Sequence, residues 1–527
     1  PQPYGVEIPD GLEWGAGKKP LPMWIWLHGR GDTATDIHFI ARQMKGKSCP
    51  FNPAGTIVVE PFGRYCNGWK AAGEIDVLEC KSDATARFNA DCNRIALAGF
   101  SMGGAGAWQL GAHYADQWAV VHTGAGFVDV KRYQKLTPDK MPPWYEQKLW
   151  GVYDVPDYAR NFLNVPLISY SGEIDAQRDS AEYMTEVLAK EGITRPHLIG
   201  PGMGHKYHPE TIKEVQRLIE AAVARGRNPM PKEVHLQTRC TRYGKMFWVQ
   251  IAGMKKLWEE ARVDAEIDDD RRVVRVKTAN VSVLAFVFSE MPKGRPDPDT
   301  YEFIIDGVPI HHNGNQGYAW QRATEEDSQE TWVPAGRNQL TGSKGWGDDG
   351  LIDEAYMKQF IVVLPDRPCA SPEVDRWVNE ESARFIKRWR GLMRGDAIVK
   401  KASELTPNDR GICCYWGDFT GNSALAKFAT HFPFEWSASK LKMAGREFDG
   451  GTHVPVMSFG WRERNEESRL TLNSGLTFRE AHDKTNSLQN PKLPDWAILD
   501  ITQPPNDESA GKVVAADFFD EHWQVKK

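Results

Sequence analysis

Ser101 lies in Gly99-Phe100-Ser101-Met102-Gly103-Gly104, and two residues downstream have the chemistry to activate it. A serine hydroxyl is a poor nucleophile until a base takes its proton and a carboxylate holds that base. Asp175 follows Ser171-Gly172, and His205 follows Gly202-Met203-Gly204, so acid and base come after the nucleophile in that order. In these roles Ser101 attacks a carbonyl carbon, His205 carries its proton to the leaving group, and Asp175 fixes the imidazole tautomer. Asp179 and His208 are the alternatives, each close to the start of the next helix. His113 and His122 precede Asp175 and break the order. The backbone N–H groups of Met102 and of Arg30, in His28-Gly29-Arg30-Gly31, are the candidates for binding the oxyanion. Acyl transfer to water by this route needs no metal and no organic cofactor.

Such a serine must be presented by a sharp strand-to-helix turn. Arg94-Ile95-Ala96-Leu97-Ala98 reads as a buried strand and Ala105-Gly106-Ala107-Trp108 as a helix start. Glycines flank the turn because side chains there would collide. Met23-Trp24-Ile25-Trp26-Leu27 is a continuous apolar run, expected as a central strand that ends at His28. Further strands are expected at 55–61, 118–126, 165–172 and 196–200, with helices between them and an amphipathic helix from Pro209. Strands alternating with helices imply a mostly parallel sheet, whose strand ends carry the candidate residues. The carboxylates of Gly73-Glu74-Ile75-Asp76-Val77-Leu78-Glu79 are read as lining the site or as a solvated helix start. The aromatic, Pro-rich stretch 130–162 is expected to form a substrate wall. Trp69, Trp144 and Tyr145 are the candidate substrate-binding residues.

The chain has 527 residues, too many for one core. Arg225-Gly226-Arg227-Asn228-Pro229 reads as a linker, after which the texture changes to alternating strands. Trp248, Trp258 and Trp320 lie there, read as core with sugar stacking as the rival. From about 350 a second α/β pattern follows, with a long helix from Pro372 to Met393. The boundaries are therefore 1–228 for an α/β catalytic domain, 229–335 for a small all-β, sandwich-like module, and 336–527 for a C-terminal α/β domain of unknown role. The chemistry is expected to be confined to the first 228 residues.

A net charge of −6 offers no electrostatic reason to expect nucleic acid or an anionic membrane as partner. No apolar run reaches the roughly 18 residues of a membrane span. Of 8 cysteines, Cys49, Cys66, Cys80 and Cys92 cluster upstream of Ser101, a pattern compatible with local disulfides in an exported protein. The chain begins at Pro1 without a signal-peptide pattern, and a trimmed, secreted or periplasmic protein is the expectation. His311-His312 and Asp348-Asp349 lack metal-ligand spacing and are read as surface residues.

Taken together, the segments Leu27–Asp32, Gly73–Glu79, Gly99–Trp108 and Gly202–His205 resemble α/β-hydrolase domains of prolyl-oligopeptidase-family and polyhydroxybutyrate-depolymerase-like esterases. They are also similar to feruloyl and acetylxylan esterases. The resemblance covers roughly residues 1–228; residues 350–527 resemble the C-terminal part of large multidomain bacterial proteins of this kind. It implies a serine carboxylic-ester hydrolase acting on small-molecule or polysaccharide esters, feruloyl or acetyl groups foremost. A prolyl-oligopeptidase-like peptidase and a polyester depolymerase are the alternatives.

Overall fold

Seven strands make the first sheet of the computed structural model: β1 (Tyr4–Glu7), β2 (Leu21–Leu27), β3 (Ile57–Pro61), β4 (Ala90–Phe100), β5 (Val120–Gly124), β6 (Leu167–Gly172) and β7 (His197–Gly200). Their order is β1-β3-β2-β4-β5-β6-β7. Every pairing is parallel except that of β1 on β3. The structure describes residues 2–31, 35–46, 48–64, 67–292, 295–310, 318–323, 332–335, 343–463, 466–483 and 486–526.

The apolar runs follow from burial on both faces of this sheet. In β2, Met23, Ile25 and Leu27 enter one core, and Trp24 and Trp26 enter the other. The helices of this unit are α1 (Asp36–Lys45), α2 (Ala72–Phe88), α3 (Met102–His113), α4 (Val130–Tyr133), α5 (Trp144–Leu149), α6 (Arg178–Lys190) and α7 (Thr211–Arg225). Val77, Cys80 and Ala84 of α2 and Ala107, Trp108 and Leu110 of α3 cover the first face. Val215, Ile219, Ala222 and Val223 of α7 cover the second. Their i, i+4 and i+7, i+8 spacing is that of one helix stripe. This is an α/β-hydrolase sheet.

Residues 233–334 hold two five-stranded sheets. Phe286 and Trp320 of one sheet meet Phe303 of the other, with ring centroids 5.6 and 5.0 Å apart. Trp248, Trp258 and Trp320 are all buried, so none offers a face to a sugar. This unit shares a continuous core with the first sheet. The Asn161 carboxamide also crosses the junction, accepting from Gln237 N–H at 2.7 Å and donating to Gln237 O at 3.0 Å.

A mixed seven-stranded sheet runs from Phe360 to Asp517, covered by the long helix α8 (Pro372–Met393). It docks on the first unit through Arg394, which donates to Asp36 Oδ1 at 2.6 Å, and Arg64, which donates to Met393 O at 3.0 Å. Asp349 accepts from Thr241 N–H, Thr241 Oγ1 and Arg242 N–H, and Asp348 pairs with Arg469. Asp349 is therefore a buried fastener between the second and C-terminal units, while Asp348 makes its ion pair within the C-terminal unit. His311 and His312 lie outside the described residues. Cys80, Cys92, Cys240, Cys369, Cys413 and Cys414 are unpaired thiols, which corrects the expectation of local disulfides for Cys80 and Cys92; Cys66 lies outside the described residues.

Candidate active site

The elbow is built by close approach of backbones. β4 ends at Phe100 and α3 begins at Met102, leaving Ser101 alone at the turn with φ 59° and ψ −120°. That conformation costs a non-glycine residue on the order of 1–3 kcal/mol and persists only where surrounding contacts enforce it. Here Ser101 N–H donates to Gly124 O at 2.8 Å, tying the turn to the end of β5. A Cβ on Gly99 would sit 2.1 Å from Gly103 O, and one on Gly103 would sit 1.8 Å from Leu27 O. Both positions must therefore be glycine for the helix to start where it does.

Two loops at the C-terminal ends of β6 and β7 carry the partners. They are pressed together at Gly172, where a Cβ would lie 2.1 Å from Gly204 O. Ile174 N–H donates to Met203 O at 2.9 Å and locks one loop to the other. His205 Nδ1 lies 2.9 Å from Asp175 Oδ2, and His205 Nε2 lies 2.7 Å from Ser101 Oγ. Asp175 Oδ1 accepts from Gln177 N–H at 2.9 Å, which fixes the carboxylate plane. The Asp175 side chain is 3% exposed and that of His205 44%, so the acid is shielded while the base faces an open cleft. The structure thus joins Ser101, Asp175 and His205 in one hydrogen-bonded line. Asp179 lies in α6 and pairs with Arg132 at 2.8 Å, and His208 bonds Thr211 Oγ1 at 3.1 Å; neither reaches Ser101. His113 stacks on Tyr243, and His122 bonds Tyr207 OH and Ile168 O.

The cleft over Ser101 has a volume of about 360 Å³ and includes Arg30 and Met102 in its walls. Gly29 brings the Arg30 turn across the nucleophile, since a Cβ there would be 3.7 Å from Ser101 Cβ. His28 is buried behind that turn with its ring nitrogens at Gly29 O and Phe62 O; burial holds its pKa below the ordinary imidazole value. It anchors the turn and takes no part in the line of three. Phe127, Tyr133, Ile174 and Gln177 form the remaining walls with Asn486.

Three candidates are elsewhere. Trp69 is buried beneath α3, where it occupies the space a side chain on Gly106 would need. Trp144 is exposed and packs near Phe518, and Tyr145 lines a separate cavity beside α8. The 130–162 stretch does supply one wall residue, Tyr133 of α4. The carboxylates of α2 do not line the cleft either. Glu74 is buried and accepts from Tyr114 OH at 2.7 Å and Tyr243 OH at 2.9 Å. Asp76 is buried and accepts from Gly63 N–H at 2.7 Å. Burial raises Asp76 to a pKa of about 6, above the 3.8 of a free aspartate. Between these values the folded state holds the proton more tightly, so this group's stability contribution is lost as pH rises. Asp76→Asn, which keeps the acceptor and cannot titrate, is expected to gain about 2–3 kcal/mol on the wild type between pH 4 and 7, read by urea unfolding at both pH values.

Asn486, from the C-terminal unit, is the wall residue that no sequence pattern marks. It stands hundreds of residues from Ser101 in a polar stretch without a motif. Ser101, Asp175 and His205 all lie within residues 1–228, and the C-terminal unit reaches the cleft as part of its wall.

The prolyl oligopeptidase family model matches residues 65–221. No curated protein matches the chain. Among solved structures, a Bacteroides ovatus protein named as a dipeptidyl aminopeptidase IV is similar at 16% identity and TM-score 0.33, over 42% of this chain and 33% of its own. An S-formylglutathione hydrolase from Staphylococcus aureus is similar at 19% identity and TM-score 0.28, over 40% of this chain and 86% of its own. A puromycin-hydrolyzing peptidase from Mycobacterium tuberculosis is similar at 16% identity and TM-score 0.30, over 40% of this chain and 34% of its own. This chain therefore spans about a third of the length of two of these proteins. Ser101, Asp175 and His205 all fall inside the matched stretch, and the first unit is a serine hydrolase domain of α/β-hydrolase fold, similar over residues 65–221 to the prolyl oligopeptidase family.

Proposed function

We propose that the protein is a carboxylic-ester hydrolase that removes acyl groups, acetyl or feruloyl, from polysaccharides. The observation that carries this reading is the composition of the cleft around Ser101: aromatic Phe127 and Tyr133 with amide and cationic groups, and, among the described residues, no carboxylate except the triad's own Asp175. A protonated peptide N-terminus would find no counter-ion among these described wall residues. A neutral ester meets no such penalty. The half-exposed His205 favours an acyl group displayed on a large, external substrate over one that must be engulfed. The family match keeps a peptidase as the second reading, since the same three residues cleave amides.

Ser101 Oγ attacks the ester carbonyl as His205 Nε2 takes its proton. The carbonyl oxygen becomes an oxyanion, for which the Met102 and Arg30 N–H groups are the donors. The N-terminus of α3 adds its partial positive charge. Collapse expels the alcohol, which receives the proton from His205 and leaves an acyl group on Ser101. Water, deprotonated by His205, then releases the carboxylic acid and restores the serine. The expected result is hydrolysis of p-nitrophenyl acetate and methyl ferulate with no cleavage of fluorogenic Pro-containing peptides. Peptide cleavage without ester cleavage overturns the reading.

A further inference from the structure

We infer that the C-terminal unit completes the substrate site: the Asn486 carboxamide is a substrate-contacting group that selects an oxygen-rich ester, and Lys70 is the positioning residue that fixes it. The inference rests on reading the Ser101 cleft as the place where substrate binds.

Asn486 is 4% exposed and borders the cleft that opens onto Ser101. Its main-chain oxygen is engaged by Lys70 Nζ at 3.2 Å, while its carboxamide makes no hydrogen bond among the described residues. The residue is buried as a whole, yet neither carboxamide atom is among the buried, unpartnered ones, so the group meets the open cleft and its water. A carboxamide carries donor and acceptor side by side, the complement of a hydroxyl, which also does both. A substrate hydroxyl entering the cleft can take the place of that water on either carboxamide atom, and a methoxy oxygen can accept from its N–H.

The placement of Asn486 is enforced from below. Lys70 Nζ also donates to Asn490 Oδ1 at 2.6 Å, and Asn490 Nδ2 donates to Ser487 O at 2.9 Å. The ammonium lies over the rings of Tyr153 and Phe127, 5.2 and 5.8 Å from their centroids. Phe127 is itself a wall of the cleft. Gln134 bonds Ser487, and Lys492 bonds Glu146, on either side of the same segment. Gly68 lies against Asn486, with a built Cβ only 2.7 Å from the Asn486 Cβ. The run that delivers Lys70 is strained: Gly68, Trp69 and Ala71 have φ of 66°, 62° and 50°. Strain of this kind collects where a fold holds a functional segment in one geometry. The hydrogen bonds of the Lys70 ammonium thus go to the loop from the distant unit, and one of its ring contacts is the cleft wall Phe127.

The experiment compares full-length wild type, Asn486→Ala, Lys70→Met and Asn490→Ala on two substrate pairs: methyl ferulate against methyl cinnamate, and mono-acetylated xylobiose against p-nitrophenyl acetate. The stripped member of each pair lacks the oxygens that Asn486 would bond. In Asn486→Ala the kcat/KM ratio of at least one pair is expected to fall about 10-fold, the size of one hydrogen bond, and to fall through KM with kcat held. Lys70→Met reproduces the change, and Asn490→Ala does so more weakly should Lys70→Met fail to fold. Ratios unchanged in folded Asn486→Ala overturn the inference. If wild type cleaves no ester, the ester reading fails on its own. The inference is then read from the rates at which hydroxyalkyl and plain alkyl p-nitrophenyl phosphonates label Ser101. A rate ratio that falls in Asn486→Ala supports it, and an unchanged ratio overturns it.

Discussion

Ser101→Ala is expected to lower kcat/KM for an accepted ester by about 10⁵-fold or more while leaving the unfolding midpoint within a few degrees of the wild type. The size follows from the single line of hydrogen bonds, Asp175 to His205 at 2.9 Å and His205 to Ser101 at 2.7 Å. Removing the nucleophile leaves only oxyanion binding and proximity, which are worth about 10³–10⁴ over water. Stability holds because, among the described residues, Ser101 makes no side-chain bond except that to His205, and its backbone bond to Gly124 survives the change. Alanine at φ 59° is strained no more than serine. Initial rates at matched protein concentration, with differential scanning calorimetry of both proteins, check the two halves. A variant retaining more than a hundredth of the activity contradicts the assignment.

Gly103→Ala is expected to be nearly as damaging, through the fold rather than the chemistry. Its Cβ would fall 1.8 Å from Leu27 O and 2.5 Å from Leu27 C. The obstacle is the backbone of a central strand, so no side chain can swing aside. Either α3 lifts off β2 or the elbow opens, and in both cases Ser101 leaves His205. Overpacking against rigid backbone places the cost above about 3 kcal/mol, among the severe single substitutions. Gly391→Ala in α8 is the control, since nothing stands within 4 Å of the added Cβ. It is expected to be neutral or to stabilise by up to about 1 kcal/mol, because alanine loses less freedom on entering a helix. Thermal melts of the two variants, read beside active-site titration, separate these outcomes.

What the sequence makes legible is the local chemistry. A glycine-flanked serine between an apolar run and a helix start can be read because the elbow's steric demands act over five residues. Asp175 and His205 could be placed because each sits just past an apolar run, and in a parallel sheet those ends meet. Aromatic character, by contrast, says nothing about direction. Trp69 and Trp144 have the composition of a binding face, yet the first fills the space under Gly106 and the second packs near Phe518. Glu74 reads as an ordinary favourable acid at a helix start, and only the docking of the second unit makes it a buried acceptor for Tyr243. Asn486 is illegible for the same reason. Its role depends on how a distant loop is fastened by Lys70, and no periodicity within either segment encodes that pairing.

The central claim is that Ser101 carries the acyl group during turnover. The most direct measurement is peptide mapping by mass spectrometry after the wild-type protein is quenched in acid during hydrolysis of p-nitrophenyl acetate, with a fluorophosphonate-treated sample beside it. The expected result is one acetyl and one phosphonyl adduct, each on the peptide containing Ser101, and neither in Ser101→Ala. An adduct on any other residue, or phosphonylation undiminished in Ser101→Ala, contradicts it.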